Sequence, residues 1–197
     1  MERENQRIAV TKRMLKESML RLLKEKELDK INVTELCRDA GVNRATFYRH
    51  YEIPRDVLIE IEKDLYYDLR QCVGLPQKQE DIRVTIEKMC NYMENNVELL
   101  RIIIKSSTDT DFVLFINGIY EEIWNEIGNV GVLKKLNSED VQLLALYCAG
   151  GSYFVLRQWL LGNIHKSSKQ MADYVYELLN KTDWATITTQ LGLLPEK

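Results

Sequence analysis

Apolar residues recur along most of this chain at the three- and four-residue spacing of an amphipathic helix. Ile8, Leu15, Met19, Leu22 and Leu23 predict a first helix over residues 8–27, with Lys12, Arg13, Lys16 and Lys24 largely off its stripe. Val57, Leu58, Ile61, Leu65 and Leu69 predict another, from Pro54 to about Val73. Ile82, Ile86, Met89, Cys90 and Met93 mark a helix over 80–95, and Leu99 to Ile104 a short one. Phe112, Phe115, Ile116, Ile119, Ile123 and Ile127 mark a further helix that ends near Gly128. The longest run, residues 139–162, has Ser138 as its cap and Gly162-Asn163 as its end; Ser167 or Ser168 then caps a last helix to about Asn180. Three prolines and nine glycines in 197 residues leave no regular supply of turn signals for a strand-built protein. The expected fold class is therefore all-α.

The segment NVTELCRDAGVNRATFYRHY carries the most explicit start and stop signals. Asn32 can cap a short helix with Glu35 three residues on, a capping-box arrangement, and Ile31 and Leu36 are spaced as a hydrophobic staple. Gly41 can take the left-handed conformation that closes that helix and redirects the chain. Two residues later Asn43 can cap a second helix, with Val42 and Phe47 spaced as its staple. Two short capped helices joined by a glycine turn make a helix-turn-helix over residues 32–51. After it, Pro54 suits a first helical position, and Asp56 sits where the helix dipole favours negative charge. Gly74-Leu75-Pro76 is the clearest break in the chain. The expected organisation is a helix-turn-helix domain over residues 1–54 and a larger helical domain over 55–197, joined by the helix that Pro54 opens.

Charge sharpens this picture. The net charge of −3 argues against a protein that coats nucleic acid indiscriminately. Residues 1–60 nevertheless hold thirteen Lys/Arg against eleven Asp/Glu, so the slight basic excess is N-terminal and the acidic remainder would repel phosphate. Cys37, Cys72, Cys90 and Cys148 have no metal-type spacing and fall on apolar helix faces, which predicts reduced buried thiols. No leader-like start and no run of about 18 apolar residues is present, so the expected location is the cytoplasm.

The glycine-valine turn followed by T-F-Y-R-H-Y resembles the DNA-binding domain of the TetR/AcrR family of bacterial regulators over roughly residues 8–60. More weakly, GGSYFVLRQWLLGNIHKSS resembles the dimerising region of a subset that includes regulators of dihydroxyacetone kinase genes. A short helix fits the major groove, where its N-terminal residues meet base edges. Arg44 suits guanine readout, Ala45 and Thr46 a thymine methyl, and Arg49 either a base edge or the backbone. The resemblance implies phosphate contacts at Tyr48 and His50, and Thr34, Arg38 and a basic residue of the first helix are further candidates. Where the family usually has a lysine near the start of the fourth helix this chain has Pro54, and Ile53 stands in place of the usual capping serine. Arg55 is the candidate to take over that contact.

Beyond residue 76, Met89, Tyr92, Met93, Phe112, Phe115, Tyr120, Trp124, Tyr153 and Phe154 are candidates to line an effector pocket, with core packing the competing role for each. Such a lining suits a small apolar or aromatic effector. Gly150 and Gly151 within a helix each cost about 1 kcal/mol relative to alanine, which close helix packing across a two-fold interface or within the chain would offset. The resemblance implies a homodimer through residues 139–180. The expected function is a ligand-responsive regulator, a repressor released from a pseudo-palindromic DNA operator by its effector, with no cofactor, metal or membrane. The alternative is a regulator of the same fold that acts mainly through a protein partner. Only His50 and His165 are available as histidines, and no nucleophile motif or phosphate loop occurs, so an enzyme is not expected.

Overall fold

A computed structural model describes residues 2–73, 82–106 and 138–181, and every regular element among them is helical. In chain order these are α1 (Glu2–Glu25), a 3-10 turn (Leu28–Lys30), α2 (Val33–Ala40), α3 (Arg44–Phe47), α4 (Pro54–Val73), α5 (Ile82–Asn95), α6 (Val97–Ser106), α7 (Ser138–Leu160) and α8 (Ser168–Lys181). The all-α class read from the pattern holds. The helix expected over 112–127 and the break at Gly74–Pro76 lie outside the described residues. No helix among the described residues is long and apolar enough to cross a membrane. The chain divides into two compact units, Met1–Asp68 and Leu69–Lys197.

In the first unit α1 starts six residues before the stripe predicts. Its opening turns, Glu-Arg-Glu-Asn-Gln-Arg, contain no breaker and are mostly good helix formers, so the helix extends where no apolar period marks it. Leu15, Met19 and Leu22 of α1, Leu36, Cys37 and Ala40 of α2, Phe47 of α3 and Val57, Leu58, Ile61 and Leu65 of α4 are buried. Ser18, fully buried, satisfies itself by donating to the Leu36 carbonyl at 3.2 Å. Arg21 to Asp39 (2.7 Å) ties α1 to α2, and Lys26, just past the end of α1, adds a half-buried pair to Glu35 (2.6 Å).

In the second unit α5 and α8 pack along each other, burying Ile86, Met89, Cys90 and Met93 on one and Met171, Ala172 and Val175 on the other. Ser167 is the cap of α8: its hydroxyl accepts from the Gln170 N–H, and the Gln170 side chain accepts from the Ser167 N–H, a complete capping box. Glu94 accepts from the Ser168 N–H at 3.1 Å, which fastens the start of α8 to α5. Gly162, at φ 86°, ends α7, with its own N–H bonded to the Trp159 carbonyl and the Asn163 N–H to the Gln158 carbonyl. Arg101 of α6 donates to the Leu160 carbonyl at 2.6 Å and satisfies another open group of that terminus.

α7 buries Cys148, Ala149, Tyr153, Leu156, Trp159 and Leu160 but leaves Leu143, Leu146, Tyr147 and Phe154 exposed, Tyr147 at 77 % and Phe154 at 61 %. These four, with Gly150 and Gly151, recur at helical spacing and form a second apolar face. A Cβ added at either glycine would meet nothing within 4 Å. Tyr174 and Leu178, one turn apart on α8, are likewise exposed.

Candidate nucleic-acid interface

The segment 32–51 folds as its caps dictate. Asn32 accepts from the Glu35 N–H at 3.0 Å, Asn43 accepts from the Ala45 N–H at 2.8 Å, and Gly41 sits at φ 67°, ψ 25°. The Gly41 N–H bonds the Arg38 carbonyl and the Val42 N–H the Cys37 carbonyl, the paired bonds of a Schellman turn. Two local expectations are modified. The Glu35 carboxylate does not close the capping box but takes Lys26, because a nearby ammonium offers a charge-assisted bond that competes with the Asn32 N–H. The second helix is also a single α-turn, after which the backbone continues through looser turns, with bonds from His50 and Tyr51 N–H to the Phe47 carbonyl.

This arrangement sets one anchor inward and a row of side chains outward. Phe47 is fully buried, while Arg44, Ala45, Tyr48 and Arg49 are exposed and Thr46 is half-buried. The Arg49 guanidinium lies 3.4 Å from the Thr46 hydroxyl, which links those two candidates one turn apart. Tyr48, 53 % exposed, stands edge-on to Phe47 with ring centroids 5.5 Å apart, so the buried ring supports an exposed one. His50 is half-buried beside Tyr51, and Thr34, Arg38 and Arg55 are exposed. Two exposed guanidinium groups, a methyl and a phenol, with a half-buried imidazole after them, lie along the capped turn and the looser turns that follow it, and they include the donors that base edges and phosphates require.

At the start of α4, Asp56 has a more definite role than dipole compensation. Its Oδ2 accepts from the Glu52 N–H at 2.8 Å and the Ile53 N–H at 2.9 Å, the reaching-back half of a capping box. Pro54 at the first helical position needs no such partner. The Asp56 carboxylate thus serves the end that Ile53, 52 % exposed, cannot cap.

Behind the outward face lies a cluster that the sequence reading missed. Glu60 of α4 accepts from Lys12 (2.8 Å) and the Tyr51 hydroxyl (3.0 Å) through Oε2, and pairs with Lys16 (2.9 Å) through Oε1. Lys16 also reaches Asp64 at 2.6 Å, and the Lys12 ammonium lies 5.5 Å from the Tyr51 ring centroid. Burial works against the Glu60 charge, but hydrogen bonds from Lys12, Lys16 and Tyr51 prevail and hold its pKa down at about 2. Burial and the neighbouring Glu60 push the Tyr51 phenol up, so it stays a donor. Lys12 and Lys16 are therefore engaged inward; on α1, Arg13 is exposed beside Glu17 at 3.8 Å. The signal was present as Lys12/Lys16 on one helix and Glu60/Asp64 on another, each pair four residues apart.

Of the candidate effector residues, Met89, Met93 and Tyr153 are buried and Tyr92 is half-buried. Phe154 is exposed, and Phe112, Phe115, Tyr120 and Trp124 lie outside the described residues.

A family model described as a transcriptional regulator C-terminal region, TetR type, matches residues 80–181. An uncharacterized HTH-type transcriptional regulator of Haemophilus influenzae is 24 % identical over 91 residues, 44 % of this chain; the match spans 44 % of that relative's length. The fold is that of a TetR transcriptional regulator from Streptococcus agalactiae 2603V, with a TM-score of 0.68 at 20 % identity over 89 % of this chain and 97 % of that one. The dihydroxyacetone kinase operon activator DhaS is also similar, with a TM-score of 0.59 at 15 % identity over 87 % and 94 % of the two chains.

Proposed function

Because the chain belongs to the TetR family of transcriptional regulators, we propose that it is a ligand-responsive repressor that binds a pseudo-palindromic DNA operator as a homodimer. The observation that carries this reading is the row Arg44, Ala45, Tyr48 and Arg49, exposed on a turn whose Phe47 is fully buried. Arg44, at the N-terminal end of the turn, takes guanine O6 and N7 together; Ala45 and Thr46 take a thymine methyl; Arg49 takes a base edge or the backbone. Tyr48, His50, Thr34, Arg38 and Arg55 bind phosphates and set register.

The dimer forms through the exposed apolar face of α7 and α8. Gly150 and Gly151 support this reading, since their open space suits close approach by a partner helix. Two recognition turns then fall in successive major grooves about 34–36 Å apart. A small apolar or aromatic effector, held in the second unit by residues that include Met89, Tyr92, Met93 and Tyr153, shifts α4 and changes that spacing. It does so only by binding the two conformations unequally.

The test is selection of duplexes from a random DNA pool, followed by affinity measurement with wild type and with Arg44→Ala plus Tyr48→Phe. Losing a bidentate guanine contact and a phosphate donor should weaken binding at least about tenfold. Failure of the wild-type protein to enrich any duplex at moderate salt would exclude direct operator reading and favour action through a protein partner.

A further inference from the structure

The recognition turn is tied at its C-terminal end to a carboxylate that lies behind its exposed face. α3 is a single turn, and so short a helix has little stability of its own, so its orientation is set by tertiary ties. Asn43 holds its N-terminal end. At the other end stand Phe47, whose contact is apolar and non-directional, and Tyr51, whose ring lies 5.6 Å from that of Phe47. The Tyr51 hydroxyl is directional, and it donates to a carboxylate already fixed by two lysines of α1.

We propose that Glu60 is a positioning residue for operator recognition: acting through Tyr51, it sets the angle of the recognition turn against α1 and α4. The inference rests on direct DNA binding. Base readout needs side chains within about 0.5 Å of their productive geometry, whereas phosphate attraction tolerates looser placement. Loss of the Glu60 charge therefore acts on specificity. The same loss frees Lys12 from its carboxylate, leaves Lys16 with Asp64 alone, and makes the domain more positive by one charge, which strengthens sequence-independent attraction to DNA. Both effects lower the ratio of specific to non-specific affinity.

The experiment uses the full chain, a duplex selected from a random pool by the wild-type protein, and a scrambled duplex of the same length and composition. Affinities for both are measured by fluorescence anisotropy with Glu60→Gln, Tyr51→Phe and the double variant, below the melting temperature of each. For Glu60→Gln the specificity ratio should fall about tenfold, the scale of a hydrogen bond to a charged group, with scrambled-duplex affinity kept or raised. Tyr51→Phe should lower the ratio too, and the double variant should be no worse than Glu60→Gln. A ratio unchanged in folded Glu60→Gln, or both affinities falling in proportion, overturns the proposal. Tyr51→Phe keeps every ion pair, so if Glu60→Gln does not fold, an unchanged ratio for Tyr51→Phe refutes it instead. A wild-type protein that selects no duplex sinks the DNA-binding reading and this inference with it; a selected duplex with unaltered ratios sinks only the inference.

Discussion

Replacing Glu60 by glutamine keeps the side chain's shape and removes its charge, so the variant mimics the protonated acid at every pH. In the folded protein the carboxyl has a pKa of about 2, against an ordinary value of 4.5. A group whose folded pKa is depressed stabilises the fold above its unfolded pKa and loses that contribution as pH falls toward the folded value. A difference of roughly two and a half units, at about 1.4 kcal/mol each, amounts to at most about 3.5 kcal/mol at neutral pH. The side chain is partly exposed, at 25 %, and solvent screening trims this to about 3 kcal/mol or less. Urea unfolding of wild type and Glu60→Gln, followed by far-UV circular dichroism at pH values from about 7 down to about 3, measures the gap directly. It should be about 3 kcal/mol at the upper end, begin to close below about pH 4.5 and reach less than half its size near pH 3. A gap that does not change with pH, or equal stabilities at neutral pH, would refute the reasoning. Equality would mean that desolvation of the cluster cancels its Coulombic gain.

Gly41→Ala should destabilise the protein by about 1 kcal/mol, a melting temperature lower by about 2–4 °C, and Gly41→Asn by less. The reason is conformational, since an added Cβ would stand a comfortable 3.9 Å from Met14 Cε while φ remains 67°. If alanine proves harmless, the turn does not require its left-handed residue. Lysines at Leu146 and Phe154 together should convert a dimer to a monomer by sedimentation velocity with helix content retained; a persistent dimer would place the interface elsewhere. Burial pushes the Cys90 thiol up to about 12, helped by Glu94 and Glu87, and the Cys148 thiol up to about 11. Both should resist Ellman's reagent near neutral pH until denaturant unfolds the chain, and rapid native-state labelling of either would contradict their burial.

Cysteine burial shows where pattern reading succeeds and where it fails. Cys37, Cys90 and Cys148 are free and buried as their helical positions imply, but Cys72 is only half-buried. It lies near the end of α4, where the apolar stripe thins and helical spacing alone no longer tells which side is covered.

What the sequence determined by itself is local. Asn32 and Asn43 as caps, Ser167 as one of two adjacent candidates, and Gly41 and Gly162 as terminators were legible because each acts through bonds to residues two to five positions away or through one residue's own φ preference. The buried faces of α1 and α4 were legible because an amphipathic stripe needs no knowledge of its partner. Tertiary structure alone decided the competitions between distant groups. Glu35 turned from its own cap to Lys26 because the residue just past α1 brings an ammonium within 2.6 Å. Lys12 and Lys16 turned inward because α4 places Glu60 and Asp64 against them, across 48 residues of sequence. In α7 apolar residues run round the helix, so the sequence could not say which face the chain covers and which it leaves exposed. Coulombic and packing choices depend on distances between helices, and no local spacing encodes them.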